Sequence, residues 1–244
     1  MNSKTLSTLL MMVGLLLAPL WGHAETTETL NMDEQQTLDQ RQQALVPVAA
    51  FAAAGDLDAL KGALNQALDA GMTVNDGKEV LVQLYAYAGF PRSLNALGSF
   101  MGVLAERREQ GIEDAEGDTP QAPIPTGDAL LKQGTANQTK LAGGPVKGPL
   151  FEFAPAADEY LKTHLFGDIF ARDNLSWQDR EIATIAMLSA IPGAEPQLQA
   201  HMGIGMNAGL TPSQLQQLVE ALKQQVGSEQ GERAATALSA ILND

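Results

Sequence analysis

The sequence predicts an all-α protein made of two copies of one helical unit. Aromatic residues make up only 5% of the chain, whereas alanine, leucine and glutamine are abundant, a composition that favours packed helices over a sheet. Helical periodicity recurs along the chain, and no strand pattern competes with it. Residues 37–106 also align without gaps with the chain 138 positions further on, which places Gly55 on Gly193 and Gly89 on Gly227. Such a repeat indicates a duplicated helical bundle.

The N-terminus predicts a secretory signal. Lys4 precedes an apolar run over 9–20, and the small residues that follow, up to Ala24, are typical of a cleavage site. The run is short for a bilayer span, and an uncleaved anchor is the alternative. We therefore expect a signal peptide over 1–24, a periplasmic or secreted protein, and no membrane partner once the signal is cleaved.

The composition excludes several kinds of function. The chain has no cysteine, which removes disulfides, thiolate nucleophiles and cysteine metal sites. Its 29 acidic residues against 15 basic ones give a formal charge of −14, so nucleic acid and anionic membrane surfaces are poor partners.

The first copy is predicted to contain four helices. Pro47 indicates a kink or break in the first helix, and Gly55 ends it. Thr73 is a predicted N-cap, and Gly89 breaks the chain before the last helix. The predicted copy spans 37–110, with helices over 38–54, 57–70, 73–84 and 93–108.

A predicted linker and the second copy follow. The linker is rich in glycine, proline and acidic residues, with one short helix near 128–133. Ser176 and Thr211 lie where N-caps belong, and Pro212 suits a first helical position. The linker is placed at 111–150 and the second copy at 151–244, with helices over 155–170, 176–190, 196–208, 211–225 and 231–242.

The two copies differ at the positions best suited to proton chemistry. At the offset of 138, Glu181 aligns with Gln43 and His201 with Ala63. The helices that carry Glu181 and His201 are predicted to form an antiparallel hairpin, and at ~1.5 Å per residue both side chains lie within about one turn of each other in height. The glutamate would then orient the imidazole for proton transfer. The alternative is a buried pair that only stabilises the hairpin.

Four further residues are candidates for binding a substrate. Arg180 could reach a substrate carboxylate, or form a solvated charge cluster with its neighbour Asp179 at the start of a helix. His164 and Asp168 are one helical turn apart and could face one pocket, although two ligands do not make a metal site. Tyr85 and Tyr87 cannot both point into a site from one helix, and we choose Tyr85 as the phenol that could donate to a ligand across the interface between the copies. We predict neither a metal nor a cofactor.

Four segments of the chain point to one family. They are EVLVQLYAYAGFP at 79–91, THLFGDIF at 163–170, DREIATIA at 179–186 and HMGIGMNAGLTP at 201–212. Together they resemble the carboxymuconolactone decarboxylase family within the alkylhydroperoxidase-like superfamily. The resemblance implies helical subunits in symmetric oligomers, often hexamers, so a two-copy chain would form a trimer as a pseudo-hexamer. In the alkylhydroperoxidase-like branch a CxxC precedes the histidine, and Ala194 and Gln197 occupy those positions here, which excludes thiol peroxidase chemistry.

The resemblance and the residues together predict cofactor-free proton transfer or decarboxylation on a small organic acid or lactone, through His201 and Glu181. The alternative from another class is a non-enzymatic oligomeric binding or scaffold protein that retains the fold without the chemistry. In that case the first copy serves packing and stands in for a neighbouring subunit. Burial distinguishes the two, because an active site needs His201 at an open cleft and a scaffold encloses it.

Overall fold

The computed structural model describes residues 37–243, within which the chain forms α-helices and π-helical segments and no strand. The predicted all-α class is confirmed. The predicted signal peptide lies outside the described residues. The elements are α1 Gln40–Ala54, α2 Leu57–Asp69, α3 Val74–Gln83, α4 Tyr85–Glu109, α5 Asp128–Leu141, α6 Pro149–Phe153, α7 Pro155–Tyr160, π1 Leu161–Ile169, α8 Trp177–Ser189, α9 Glu195–Asn207, α10 Pro212–Ala221, π2 Leu222–Val226 and α11 Ser228–Leu242.

The duplication is visible in the helix boundaries themselves. Helices α2 and α9 begin and end at residues 138 positions apart, and so do α3 and α10. Thr73 and Thr211 both cap the following helix through their hydroxyls, each in a capping box with the residue three positions on. Gly55 and Gly193 both adopt positive φ, of 76° and 85°, in the turn before the second helix of each copy. The two copies therefore use the same local signals.

The two copies pack together through their equivalent first helices, α1 and α8. Arg41 and Asp179, which are equivalent positions near the two N-termini, form an ion pair at 3.0 Å. Ala53 at the end of α1 and Ala190 beyond the end of α8 line one cleft. The two helices therefore run in the same direction, related by an approximate two-fold axis. The main hydrophobic core is drawn from both copies, and a second, smaller cluster lies where α5 packs against π1.

Several local predictions differ from the structure, among them the helix over 155–170, which is the short α7 followed by the π-helical segment π1. Helix α1 continues through the buried Pro47 instead of breaking there. The predicted linker contains α5, which is much longer than the short helix expected and packs against π1. Gly134 on α5 makes this packing possible, because any side chain there would collide with the carbonyl of Lys162. Among residues 37–243, no helix combines the length and apolar character needed to cross a membrane.

Candidate active site

The strongest candidate site is a hydrogen-bonded pair in the hairpin formed by α8 and α9. The Nδ1 atom of His201 lies 2.7 Å from Oε2 of Glu181. Glu181 is 0% exposed and His201 8% exposed. The two helices are antiparallel and joined by a short turn over 190–194, which sets both side chains at the same height. The proximity that the spacing predicted is therefore present.

This geometry assigns different roles to the two nitrogens of His201. With the Nδ1–H donating a hydrogen bond to Oε2 of Glu181, the carboxylate holds the ring in one orientation and one tautomer. Within residues 37–243, Nε2 makes no hydrogen bond, and 10% of the side-chain surface stays exposed. The free Nε2 is therefore the atom of this pair that can exchange a proton with a ligand.

The first copy contributes Tyr87 to the same place. The rings of Tyr87 and His201 meet edge to face, with centroids 5.6 Å apart and an interplanar angle of 79°. The phenol hydroxyl is buried and makes no well-aligned hydrogen bond among the described residues, although Thr184 lies close enough to interact with it. Burial, and next the charge of Glu181, raise the pKa of Tyr87 far above its usual value, against smaller opposing effects of Thr184 and Arg180. The phenol therefore stays protonated and remains a donor.

Three buried polar atoms of this part of the fold make no well-aligned hydrogen bond among residues 37–243. They are the hydroxyl of Tyr87, Oε1 of Glu181 and Nε of Arg180. A buried polar atom without a partner costs about 1–3 kcal/mol, and more than about 90% of buried polar groups in folded proteins are paired. Two of the three atoms belong to Glu181 and Tyr87, the residues that contact His201. A ligand beside His201 could supply a partner for these two.

Arg180 is not the solvated residue that the sequence suggested. It is 0% exposed, and its guanidinium donates to Oε2 of Glu79 at 3.0 Å and to Oε1 of Gln83 at 3.1 Å, both on α3 of the first copy. Burial lowers the pKa of Arg180, although Glu79 opposes this shift. The carboxylate partner of Arg180 is therefore Glu79 of the same chain. Arg180 binds this internal residue and does not face solvent.

Glu79 joins the two copies through two arginines. It accepts a bidentate pair of hydrogen bonds from Arg172, the shortest at 2.7 Å, in addition to the one from Arg180. Burial alone would raise the pKa of Glu79, but the hydrogen bonds from Arg172 and Arg180 outweigh it and lower that pKa. The carboxylate is therefore ionised in the folded protein at neutral pH.

Asp179 is likewise enclosed and not part of a solvated cluster. Arg41 bridges Asp179 and Asp76 with distances of 3.0 Å and 2.9 Å. Burial would lower the pKa of Arg41, but the two carboxylates raise it overall. The start of α8 is thus tied to both helices α1 and α3 of the first copy.

His164, Asp168 and Tyr85 lie together in a second place, on the surface. His164 Nδ1 is 3.0 Å from Asp168 Oδ2 on π1, with side-chain exposures of 57% and 42%. Tyr85 stacks on Phe90 with ring centroids 4.5 Å apart, and burial followed by the nearby Asp168 raises the pKa of Tyr85. None of the three contacts His201 among the described residues. It is Tyr87, two residues on from Tyr85, that reaches His201.

The equivalent place in the first copy has no acid–base pair. Gln43 stands where Glu181 does and donates its amide to the carbonyl of Leu38 at 2.7 Å, while Ala63 stands where His201 does and is buried. Across the part of the chain that is described, no cluster of three or more histidine, aspartate or glutamate side chains has an arrangement suited to a metal ion.

Comparison with known families agrees with the two-copy organisation. The model of the carboxymuconolactone decarboxylase family matches the chain twice, over residues 23–100 and 155–242. The matches cover more than half of the chain and fall on the two repeats. No curated protein was found to match the sequence.

Proposed function

The chain belongs to the carboxymuconolactone decarboxylase family, and we propose that it is an enzyme that transfers a proton on a small organic acid or lactone without a cofactor. One observation carries the proposal: the 2.7 Å hydrogen bond that commits His201 Nδ1 to Glu181 while Nε2 stays free. Family membership supports a helical bundle of this kind, and the reaction itself is our proposal.

In a decarboxylation, the bond between the substrate carbon and its carboxylate breaks and carbon dioxide leaves. The bonding electron pair passes to the lactone carbonyl as an enolate, and the carbon then takes up a proton. The protonated Nε2 of His201 supplies that proton, and solvent restores it afterwards. Glu181 stabilises the imidazolium, and the phenol of Tyr87 is placed to donate to the enolate oxygen.

Neither thiol chemistry nor a metal ion is part of the proposed reaction. Thiol peroxidase activity is excluded, because the chain contains no cysteine and Ala194 and Gln197 occupy the relevant positions. Metal-dependent activation is not part of the proposal, because Glu181 and His201 form a pair and a third ligand is not beside them in the described chain.

The oligomeric scaffold remains the second candidate function, and the enclosure of His201 favours it.

We also propose that the protein forms a homo-oligomer through an apolar face of α4. The equivalent face of the second copy serves as an internal comparison. Phe90, Leu94 and Met101 are 61%, 61% and 71% exposed. The equivalent exposed positions on α11 are Ser228, Glu232 and Ser239. The same surface is thus polar in one copy and apolar in the other, as expected when a second chain covers only the first.

The test is turnover of a panel of carboxylactones, oxo-acids and lactones followed by proton NMR, with His201→Gln alongside. His164→Gln is the matched control, because His164 is exposed and does not touch the site. We expect turnover to disappear in His201→Gln and to persist in the control. If no compound is turned over and His201→Gln only lowers the melting temperature, the scaffold replaces the enzyme. Export is a separate proposal, tested by N-terminal sequencing of the periplasmic fraction.

A further inference from the structure

A cleft opens at the C-terminal ends of the two equivalent helices α1 and α8. Its volume is about 390 Å³, within the lower part of the range of small-molecule sites. Its lining consists of Ala53, Ala54, Tyr87, Ala88, Arg92, Ala190, Ile191 and Pro192. Tyr87 therefore lies between the cleft and the candidate site: it lines the cleft, and its ring contacts the ring of His201.

The position of Tyr87 explains how a buried His201 could meet a ligand. Its side chain is only partly buried, yet its hydroxyl is fully buried and lies near Glu181 and Arg180. One part of the ring thus faces the cleft and the other faces the interior. His201 itself is 8% exposed, so a side chain must move before a substrate reaches Nε2. We propose that the cleft is the entrance to the His201 site and that Tyr87 is its gate, an inference that rests on the proposed function.

The backbone around Tyr87 suits such a movement. Gly89 has φ 80° and ψ 161°, values that interrupt α4 two residues after Tyr87. Residues 85–88 are therefore a single turn held between the end of α3 and this break. A short turn is anchored by fewer hydrogen bonds than a helix interior, so it reorients at lower cost.

Arg92 indicates what kind of ligand the cleft would take. Every other lining residue apart from Tyr87 is apolar, and four are alanines. Arg92 is exposed, and its Nη1 donates to the carbonyl of Ala53 at the end of α1. The Nε and Nη2 donors are not engaged among the described residues and form an edge that fits a carboxylate. The ligand class is therefore a small acid with an apolar body, bound by its carboxylate at Arg92.

The comparison between copies supports a specific role for Arg92. The equivalent residue in the second copy is Gln230. Carbonyl groups at the ends of α1 and α8 bring partial negative charge to the cleft, which would repel an anion. Arg92 offsets that charge, whereas the neutral glutamine at the equivalent position of the second copy carries no charge that could do so.

Chemical modification of histidine tests the gate without requiring turnover. Diethyl pyrocarbonate modifies accessible imidazoles, and mass spectrometry follows His201 and the exposed His164 in the same sample. We expect His201 to react slowly in the native protein and about tenfold or more faster in Tyr87→Ala, since each ~1.4 kcal/mol of opening free energy removed is a factor of ten. His164 should react at one rate in both. Tyr87→Phe keeps the ring and should stay slow, and Tyr85→Ala is the matched control.

The ligand class is tested in the same assay with benzoate and benzamide as probes. Benzoate should protect His201 and neutral benzamide should not, and Arg92→Gln should lose the protection while Arg92→Lys keeps part of it. Melting temperatures establish that the variants are folded. Equal modification of His201 in folded Tyr87→Ala and native protein would overturn the gate, and absent or charge-independent protection would overturn the ligand class. Gating without turnover of any substrate would instead contradict the proposed function alone.

Discussion

Replacing Glu79 tests how strongly the buried charge network joins the two copies. Glu79→Gln removes the carboxylate that hydrogen-bonds to Arg180, which is 0% exposed, and also breaks the bidentate pair with Arg172. Breaking one partner of a buried ion pair costs about 3–5 kcal/mol, because the remaining charge is left uncompensated. The side chain of Glu79 is only 6% exposed, so solvent screens the ion pair little and the variant should lose this full amount of unfolding free energy.

The assay is urea denaturation at pH 7, with Glu106→Gln as the matched control. Glu106 pairs with Lys61, but both side chains are about half exposed, so the control should cost less than about 1 kcal/mol. The double variant Glu79→Met with Arg180→Met should recover part of the stability, since an apolar pair of similar volume removes the fully buried charge and leaves unpaired only Arg172, whose side chain is 33% exposed. A Glu79→Gln variant no less stable than Glu106→Gln would refute this account.

The lowered pKa of Glu79 predicts that the stability of the protein depends on pH. The folded-state pKa of Glu79 lies below the usual value of 4.5, so its contribution to stability is fully present above that value. The contribution is lost as the pH falls through the lower folded-state pKa. Stability of the native protein should therefore fall in this acidic window, and the Glu79→Gln variant should show a smaller fall there. Parallel pH profiles for the two proteins would contradict the assignment.

Three further outcomes follow from the structure. Glu181→Gln should lower kcat by about 10²-fold or more with little change in KM, because the orienting carboxylate is lost; equal losses in His164→Gln would contradict this. Leu94→Glu should shift the protein to smaller species in sedimentation velocity, whereas the exposed Leu150→Glu, outside α4, should not. Gly134→Ala should destabilise by more than about 2 kcal/mol in urea, whereas Gly62→Ala, with open space around it, should stabilise by up to about 1 kcal/mol.

Part of the candidate site was predictable from the sequence. The distance between Glu181 and His201 depends on helical rise and one short hairpin, both of which are local and periodic properties. The missing pair in the first copy follows from the alignment of the two copies alone. Tyr87 carried a weaker signal: it lies in the same segment as Tyr85, and nothing local to that segment decides which phenol turns inward.

The sequence by itself determined the helices, their caps and the duplication, because N-cap residues, positive-φ glycines and 3.6-residue periodicity act over a few positions. Only the tertiary structure decided that Arg180 is buried against Glu79, a partner 101 residues away in the chain. It also decided that the ring of Tyr87 from one copy contacts the ring of His201 in the other. Such pairings depend on how α1 and α8 dock, and no local pattern encodes the contacts that docking creates.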